Sequence, residues 1–283
     1  MARFNAFEKI KALDPDKDHW EIVRLSAFYE FPWDFTRSLE LALFRTFASP
    51  SISKILAKSR EFENHTQKRY DDTDLILSEI LEHGPASERG SAALAKMNFI
   101  HSHFNISNDD YLYVLSTFIF EPERWINKYG YRKLTNSELQ AGYKVWQEIG
   151  AHMGIKDIPE KRETLEQFNI AYEKKYFVPS ATNQSIATYT ENLFLGWLLP
   201  KALYPVGRPF LHAIMDEPLL NAVGFKKPSA IIIKTVAAAM ALRKAVVQLL
   251  PRRQKPAYRT AIPRKQTYPN GYEVKELGSK AYR

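Results

Sequence analysis

The chain of 283 residues contains no cysteine. This absence excludes disulfide bonds, thiolate nucleophiles and cysteine-based metal sites. It also excludes a haem that is held by a thiolate. Any metal or haem in this protein must therefore be bound by histidine or carboxylate side chains.

Glycine is also scarce, with 11 residues in the whole chain. Few segments alternate between apolar and polar residues, whereas many repeat apolar residues every three or four positions, as amphipathic α-helices do. With 45% hydrophobic residues, a chain of this length can form a full core. We predict an all-α fold in which residues 1–250 form a single large domain of about ten helices.

Local signals predict several helix boundaries. Ser87 is expected to cap the helix that follows it, and Thr135 and Glu138 have the spacing of a capping box. Gly84, followed by a proline, is expected to end a helix. Pro122 lies within a helical pattern and is expected to kink or split that helix.

Long apolar runs are missing as well. The longest candidates are "NLFLGWLLP" and "TVAAAMAL", far short of the ~18 residues that a membrane-spanning helix needs. The first twenty residues, "MARFNAFEKIKALDPDKDHW", lack the apolar core of a signal peptide. From the chain as given we expect neither a signal peptide nor a transmembrane helix, and a cytoplasmic or peripheral membrane location.

Positive charge is concentrated at the end of the chain. Residues 251–283 contain nine Lys or Arg, two Glu and four Pro, a net charge of +7, whereas the whole chain carries +8. We expect a basic arm that lies on the protein surface or is partly loose. Because the arm follows a largely apolar helix, contact with an anionic membrane is a second hypothesis. No recognised motif for nucleic acid accompanies the charge, so we expect no nucleic-acid partner.

The segment "ALAKMNFIHSHF" places a histidine on an apolar helix face. At helical spacing, Leu94, Met97, His101 and Phe104 share one face. His101 is therefore either a core histidine with satisfied ring nitrogens or a ligand for iron. His103 points about 200° away from His101, so the two cannot chelate one ion on a helix. We leave His103 and His152 out of the predicted site.

The segment "KRYDDTDLILSEI" places polar groups at the start of an apolar helix face. At 100° per residue, Arg69 and Thr73 share a face with core isoleucines, and Asp72 lies at its edge. The opposite face is expected to point to solvent; it carries Asp71, Asp74, Ser78 and Glu82. Arg69 either snorkels outward or pairs with Asp72, or else it belongs to a polar pocket floor that receives an anionic or oxygen-rich group.

These segments resemble the MpaB and rubber oxygenase (latex-clearing protein) family, particularly its bacterial MpaB-type members. The resemblance extends from about Asp16 to Gly278 and is specific because it combines several stretches. They are "YEFPWD", "LALFRTFASPSIS", "KRYDDT", "ERGSAALAKMNFIH", "ISNDDYLYVLSTFIFEPERWI" and "WQEIGAHMGI". Rubber oxygenases of this family are all-α haem b proteins that use dioxygen to cleave carbon–carbon double bonds in polyisoprene, and its fungal MpaB branch is linked to oxidative cleavage of a prenyl side chain.

The resemblance implies roles for individual residues. His101 corresponds to the proximal iron ligand, and Met97 and Phe104, on the same helix face, are expected to contact the haem b. Arg69 and Thr73 correspond to the Arg-x-x-x-Thr pair on the distal side, where dioxygen binds. The implied activity is that of an oxygenase on an apolar small molecule or polymer, plausibly an isoprenoid or another alkene.

One position departs from the family pattern, and another role in that pattern could fall to either of two residues. The rubber branch has a lysine directly before the threonine, whereas this chain has Asp72, which we include among the catalytic candidates and which indicates different oxygen handling or a different substrate. That branch also uses a glutamate upstream of the arginine as a proposed base. Glu61 and Glu63 both lie upstream here, and the motif does not select one of them.

Other functions fit the helical pattern less well. The segment "DDTDL" suggests the magnesium site of a terpene synthase, but the fourth residue after Asp71 is Leu75 instead of aspartate. A di-iron bundle needs Glu-x-x-His pairs, whereas the pairs here are one residue longer. A haem-binding protein without oxygenase activity and a non-catalytic helical interaction protein also remain open.

Overall fold

The structure is a computed structural model that describes residues 4–279, and its regular structure in that range is helical. The α-helices are α1 Ala6–Ala12, α2 His19–Leu25, α3 Pro32–Phe47, α4 Pro50–Lys58, α5 Glu61–Asn64, α6 Thr66–His83, α7 Glu88–His101, α8 Asn108–Tyr129, α9 Asn136–His152, α10 Arg162–Tyr176, α11 Ala181–Gly196, α12 Tyr204–His212, α13 Glu217–Ala222 and α14 Ala230–Leu249. One π-helical turn, Ser26–Glu30, and two 3₁₀ turns, Lys201–Leu203 and Val274–Glu276, complete the described elements. The predicted all-α class is confirmed. The described helices outnumber the expected ten because several are short pieces of one or two turns.

Most of the predicted helix boundaries are confirmed. Ser87 accepts a hydrogen bond from the backbone N–H of Gly90, and Thr135 and Glu138 form the reciprocal capping box that opens α9. Gly84 ends α6 with a φ of 77°, which only glycine adopts without strain. Pro122 does not split α8, which runs without interruption from Asn108 to Tyr129.

The core is built from helix pairs, some of which are distant in sequence. Helix α3 packs along α8, α2 packs along α9, and α6 packs against its neighbour α7. The largest cluster of buried apolar side chains joins α2, α6, α7, α8 and α9. This arrangement brings the two segments with unusual polar residues, on α6 and α7, side by side.

The segment that follows α14 is an arm that covers one face of α6. The guanidinium of Arg259 donates to both carboxylate oxygens of Asp74 at 2.7 and 2.8 Å, and Arg264 pairs with Asp71 and Asp74. The backbone N–H of Arg259 donates to Glu82 at 2.6 Å. The expectation that this face of α6 points to solvent is therefore wrong: Asp71, Ser78 and Glu82 are buried and Asp74 is half-buried. Charged residues occupy it because the basic arm supplies their partners.

Helix α14 packs much more loosely than the other long helices. Within Ala230–Leu249, all of which the structure describes, no residue is buried. Met240 and Val247 contact the apolar cluster beneath, and Arg243 donates to both carboxylate oxygens of Asp34 at 2.9 Å. Among the described helices, none combines the length and the apolar character that crossing a bilayer requires.

Candidate active site

A cavity of about 240 Å³ lies between α6 and α7 and is walled mainly by apolar side chains. Further walls come from α3, α4, α8, α9 and α11 and from the end of the arm. The sequence-predicted residues all line it: Arg69, Asp72, Thr73, Met97, His101 and Phe104. The structure thus brings together the complete set of predicted site residues, although their chemical roles stay predictions.

His101 is the last residue of α7 and presents a neutral imidazole to this cavity. Burial and, to a smaller extent, the nearby positive charge of Arg69 together lower the pKa of His101 to about 4. Its Nδ1 atom is buried and has no hydrogen-bond partner among the described residues. The ring of Tyr111 lies 5.6 Å away, edge to face. A neutral imidazole is the form that binds a metal. A buried ring nitrogen without a hydrogen-bond partner also costs free energy, which a bound group could recover.

Arg69 is a partly buried cation on the facing helix α6. Burial lowers the pKa of its guanidinium, and the negative charges of Asp72 and Glu61 oppose that change. The guanidinium donates to the hydroxyl of Thr73, which in turn donates to the Arg69 carbonyl at 2.9 Å. Within residues 4–279 it forms no ion pair. It neither snorkels free of the pocket nor pairs with Asp72, so its remaining donors are available to a bound group.

Asp72 reaches the cavity wall, but its carboxylate belongs to a different cluster. Lys68 donates to its two oxygens at 2.9 and 2.7 Å, and the hydroxyl of Tyr268 donates to one of them. Lys68 also donates to the carbonyl of Gly278 at 2.9 Å. The geometry is that of a tie between α6 and the arm, so we expect Asp72 to act by positioning α6.

Met97 and Phe104 form part of the wall on the side of His101. Both are partly buried, and Met97 packs against the main core cluster. Neither offers a strong hydrogen-bond donor or acceptor. They keep this side of the cavity apolar and exclude water from the imidazole.

The structure distinguishes the two upstream glutamates. Glu61 lines the cavity and accepts a hydrogen bond from Ser279 at 2.6 Å. Glu63 is at the surface, where Arg60 donates to it at 2.9 Å. The family motif alone left this choice open because the short helix α5, which turns Glu61 inward, has no strong sequence signal.

Gly278 and Ser279 are wall residues that sequence reasoning missed. They lie some two hundred residues from α6, and nothing in the basic, proline-containing composition of the arm indicates a cavity wall. The close packing is visible at Gly278: a Cβ atom there would lie 2.7 Å from Ile100. The family resemblance extends to about this residue, but none of its quoted motifs includes it.

The remaining candidates lie outside the cavity. His103 is exposed and its Nδ1 atom contacts the Phe99 carbonyl at 2.8 Å, while His152 is exposed at the end of α9. Asp71 and Asp74 are engaged by the arm and do not line the cavity. In the part of the chain that the structure describes, no three His, Asp or Glu side chains come together as a metal site.

An open cleft of about 1240 Å³ adjoins the cavity. The two share Glu61, Thr66 and Leu193 in their walls. Tyr204 and Arg208 of α12 form part of its far side. The cleft therefore lies directly beside the buried site.

Comparison with known proteins identifies the family. Residues 35–268 match the model described as ER-bound oxygenase mpaB/B'/Rubber oxygenase, catalytic domain. The chain is 32% identical over 253 residues to the ER-bound oxygenase mpaB' of Penicillium brevicompactum, which covers 83% of this chain and 60% of that protein. It is 31% identical over 226 residues to the ER-bound oxygenase mpaB of Penicillium roqueforti (strain FM164), covering 74% of this chain and 76% of that protein.

A third relative, the ER-bound oxygenase mpaB of Penicillium brevicompactum, is 33% identical over 190 residues, which is 61% of this chain and 48% of that protein. The match thus spans only about half to three-quarters of the length of these relatives. All of the predicted cavity residues lie within the range matched by the family model. The chain belongs to the family of mpaB/mpaB' oxygenases and rubber oxygenases.

Proposed function

We propose that this protein is a haem b-dependent oxygenase in which His101 is the iron ligand and dioxygen is the co-substrate. The observation that carries the proposal is a neutral imidazole that faces an unpaired guanidinium across an apolar cavity. Core histidines normally have their ring nitrogens satisfied, whereas His101 leaves a buried one without a partner.

The donor set fits haem better than a bare metal ion. A protein-held ion needs several convergent ligands, which residues 4–279 do not provide around His101. The porphyrin of haem supplies four nitrogen ligands, so the protein needs to provide only one imidazole. When bound, it would supply the redox-active iron needed to activate dioxygen.

The chain's own residues would then divide the remaining tasks. Arg69 directs donors into the cavity, where they can hydrogen-bond an oxygen-containing or anionic group, and Thr73 fixes the guanidinium. Met97 and Phe104 exclude water on the imidazole side. We assign proton acceptance from the substrate to Glu61, which is the cavity-lining member of the two upstream glutamates.

The apolar lining supports a greasy substrate. We propose an isoprenoid or another alkene, and oxidative cleavage of its double bond, in line with the family. The walls offer few polar groups that could recognise a polar molecule, so most of the binding free energy must come from apolar burial.

An absorption spectrum of the purified protein, before and after dithionite, tests the cofactor. The wild type should show a Soret band, and His101→Ala should lose stoichiometric haem while its helical circular dichroism is retained. His103→Ala is the matched control and should keep its haem, since that side chain is at the surface. Full haem content in His101→Ala would overturn the ligand assignment.

Oxygen consumption separates the competing functions. A haem protein that consumes no dioxygen with alkene substrates would be a binding protein of the same fold. A wild type that binds no haem would favour a non-catalytic helical protein.

A further inference from the structure

Helix α14 has an outer face that none of the residues 4–279 covers. At helical spacing, one side of α14 carries Ile231, Ala238, Leu242, Ala245 and Leu249 over about 27 Å, and Lys234 and Thr235 interrupt this apolar stripe between the first two. Its large members are 77% (Ile231), 67% (Leu242) and 87% (Leu249) exposed. Large exposed apolar patches on soluble proteins commonly mark interaction surfaces.

Helix α12, which packs against α14, continues this apolar surface. Leu203, at its N-cap, together with Val206 and Phe210 lies on one face of α12, and all three are exposed. Leu198, between α11 and α12, is exposed as well. Two neighbouring helices thus present apolar side chains to solvent.

The segment of the chain that contains α14 carries charge of one sign. Residues 218–272 contain eleven Lys or Arg and no Asp or Glu. Several of these cations have partners elsewhere: Arg243 pairs with Asp34, and Arg259 and Arg264 pair with α6. Lys234 and, in the arm, Arg253 and Lys255 are exposed and have no ion pair among the described residues.

We propose that α12, α14 and the start of the arm dock on an anionic lipid bilayer. An exposed apolar stripe flanked by cations suits the boundary between lipid headgroups and acyl chains. A second copy of the chain is a poorer occupant, because it would bring the same acid-free, cationic segment against itself. The apolar side chains supply depth of insertion, and the cations supply the preference for anionic lipid.

Docking would also orient the route to the cavity. The α12 residues Tyr204 and Arg208 wall the open cleft that adjoins the cavity, so the docked helix lies beside its mouth. Apolar alkenes partition into bilayers, and a cleft held there meets them at high local concentration. This orientation rests on the proposed function, whereas the docking itself does not.

Co-sedimentation with vesicles tests the docking surface, and the haem spectrum of the same samples keeps the two proposals distinguishable. The wild type should bind phosphatidylcholine vesicles that contain phosphatidylglycerol, and added salt should weaken the binding. The double variant Leu242→Glu with Leu249→Glu should bind at least tenfold more weakly. Both side chains are exposed, so the fold and the haem spectrum should be unchanged.

The matched control places the same two charges on another surface. Ile170→Glu with Val178→Glu replaces exposed apolar residues on and just after α10, and it should bind vesicles as the wild type does. Arg253→Gln with Lys255→Gln should weaken binding to the anionic vesicles by roughly fivefold for each charge.

Three outcomes would overturn the proposal. They are no sedimentation with anionic vesicles at low salt, equal binding to neutral vesicles that ignores salt, and equal losses in the test and control variants. Sedimentation velocity checks the competing occupant: a wild-type dimer that the Leu242→Glu, Leu249→Glu variant dissociates would assign this face to a second copy and would also overturn the proposal.

Discussion

Arg69 illustrates a cost that the fold accepts at its site. A partly buried cation without an ion-pair partner loses part of its hydration, and Arg69 recovers only some of that loss through Thr73 and through the ring of Phe62, whose centroid is 5.3 Å away. Replacing such a charge with an apolar side chain of similar length removes that penalty. Stability and function should therefore respond to this residue in opposite directions.

We predict that Arg69→Met raises the free energy of unfolding by about 1 to 3 kcal/mol and lowers the oxygenase rate tens- to thousands-fold. Haem content should change little, because the proposed iron ligand is His101. Urea denaturation and oxygen uptake measure the two effects. Thr73→Val should share the loss of rate without the gain in stability. A destabilised Arg69→Met variant would mean that the guanidinium has a partner after all.

Single residues also mark how far sequence reasoning reached into the site. Arg69, Thr73 and His101 could be selected because each interrupts an otherwise apolar helix face, and that face is readable from spacing alone. Asp72 was also selected, but the spacing could not show that Lys68 and Tyr268 occupy both of its oxygens. That engagement joins residues almost two hundred positions apart, and no local pattern encodes it.

Helix α6 depends on the arm because one of its faces carries carboxylates that the arm pairs with. One face lines the cavity, and the other holds carboxylates that need partners: Asp71, Asp74, Glu79 and Glu82. Residues from Arg259 to Tyr272 supply those partners. The spacing of polar residues predicted a solvated face, and only the tertiary position of the arm reverses that conclusion.

We predict that Arg264→Ala lowers the free energy of unfolding by about 3 kcal/mol, because it leaves the buried carboxylate of Asp71 without its ion pair. Hydrogen exchange along α6 should rise at the same time, since the arm loosens over it. Lys275→Ala is the control: its pair with Glu273 is exposed, and such pairs contribute little. Equal effects of the two substitutions would show that the arm does not stabilise α6.

The start of α9 shows the opposite situation, because its capping residues could be predicted from the sequence alone. Glu138 closes the predicted capping box and also accepts from Arg132 at 2.7 and 2.9 Å and from Ser26 at 2.5 Å. Burial raises the pKa of Glu138, but these donors outweigh burial and hold it below its usual value. The ionised form therefore stabilises the folded state.

A carboxyl whose pKa is lowered by folding stabilises the folded state fully at pH values above its pKa in the unfolded state, which is near 4.3. This stabilisation is lost as the pH falls through the pKa of the carboxyl in the folded state. We predict that Glu138→Gln lowers the free energy of unfolding by about 1 to 3 kcal/mol at pH 7. This difference from the wild type should become smaller below about pH 4. Urea denaturation at pH 7 and pH 3.5 measures this, with the exposed Glu163→Gln as control. A gap that is independent of pH would contradict the argument.

The fold as a whole places its site where many elements meet. The all-α class and most helix ends follow from periodicity and capping residues, which are local properties. Which helices surround the cavity is decided by long-range packing, such as that of α3 along α8, and by the return of the chain end to α6. The family resemblance substituted for that missing information at His101 and Arg69, but not at Gly278 and Ser279.

Because the cavity walls come from α3, α4, α6, α7, α8, α9 and α11, a bound haem would add contacts that link these elements. A ligand that binds only the folded state stabilises it by about 2.7 kcal/mol at a hundredfold excess over its Kd. For a chain of this size we predict that haem removal lowers Tm by roughly 5 to 10 °C. Hydrogen exchange should rise in α6, α7 and α8 and stay unchanged in α10, which does not line the cavity. The His101→Ala variant, which should not retain haem, should show no such difference when haemin is added or withheld. Exchange that rises equally in α10, or an unchanged Tm in the wild type, would place the cofactor somewhere other than this cavity.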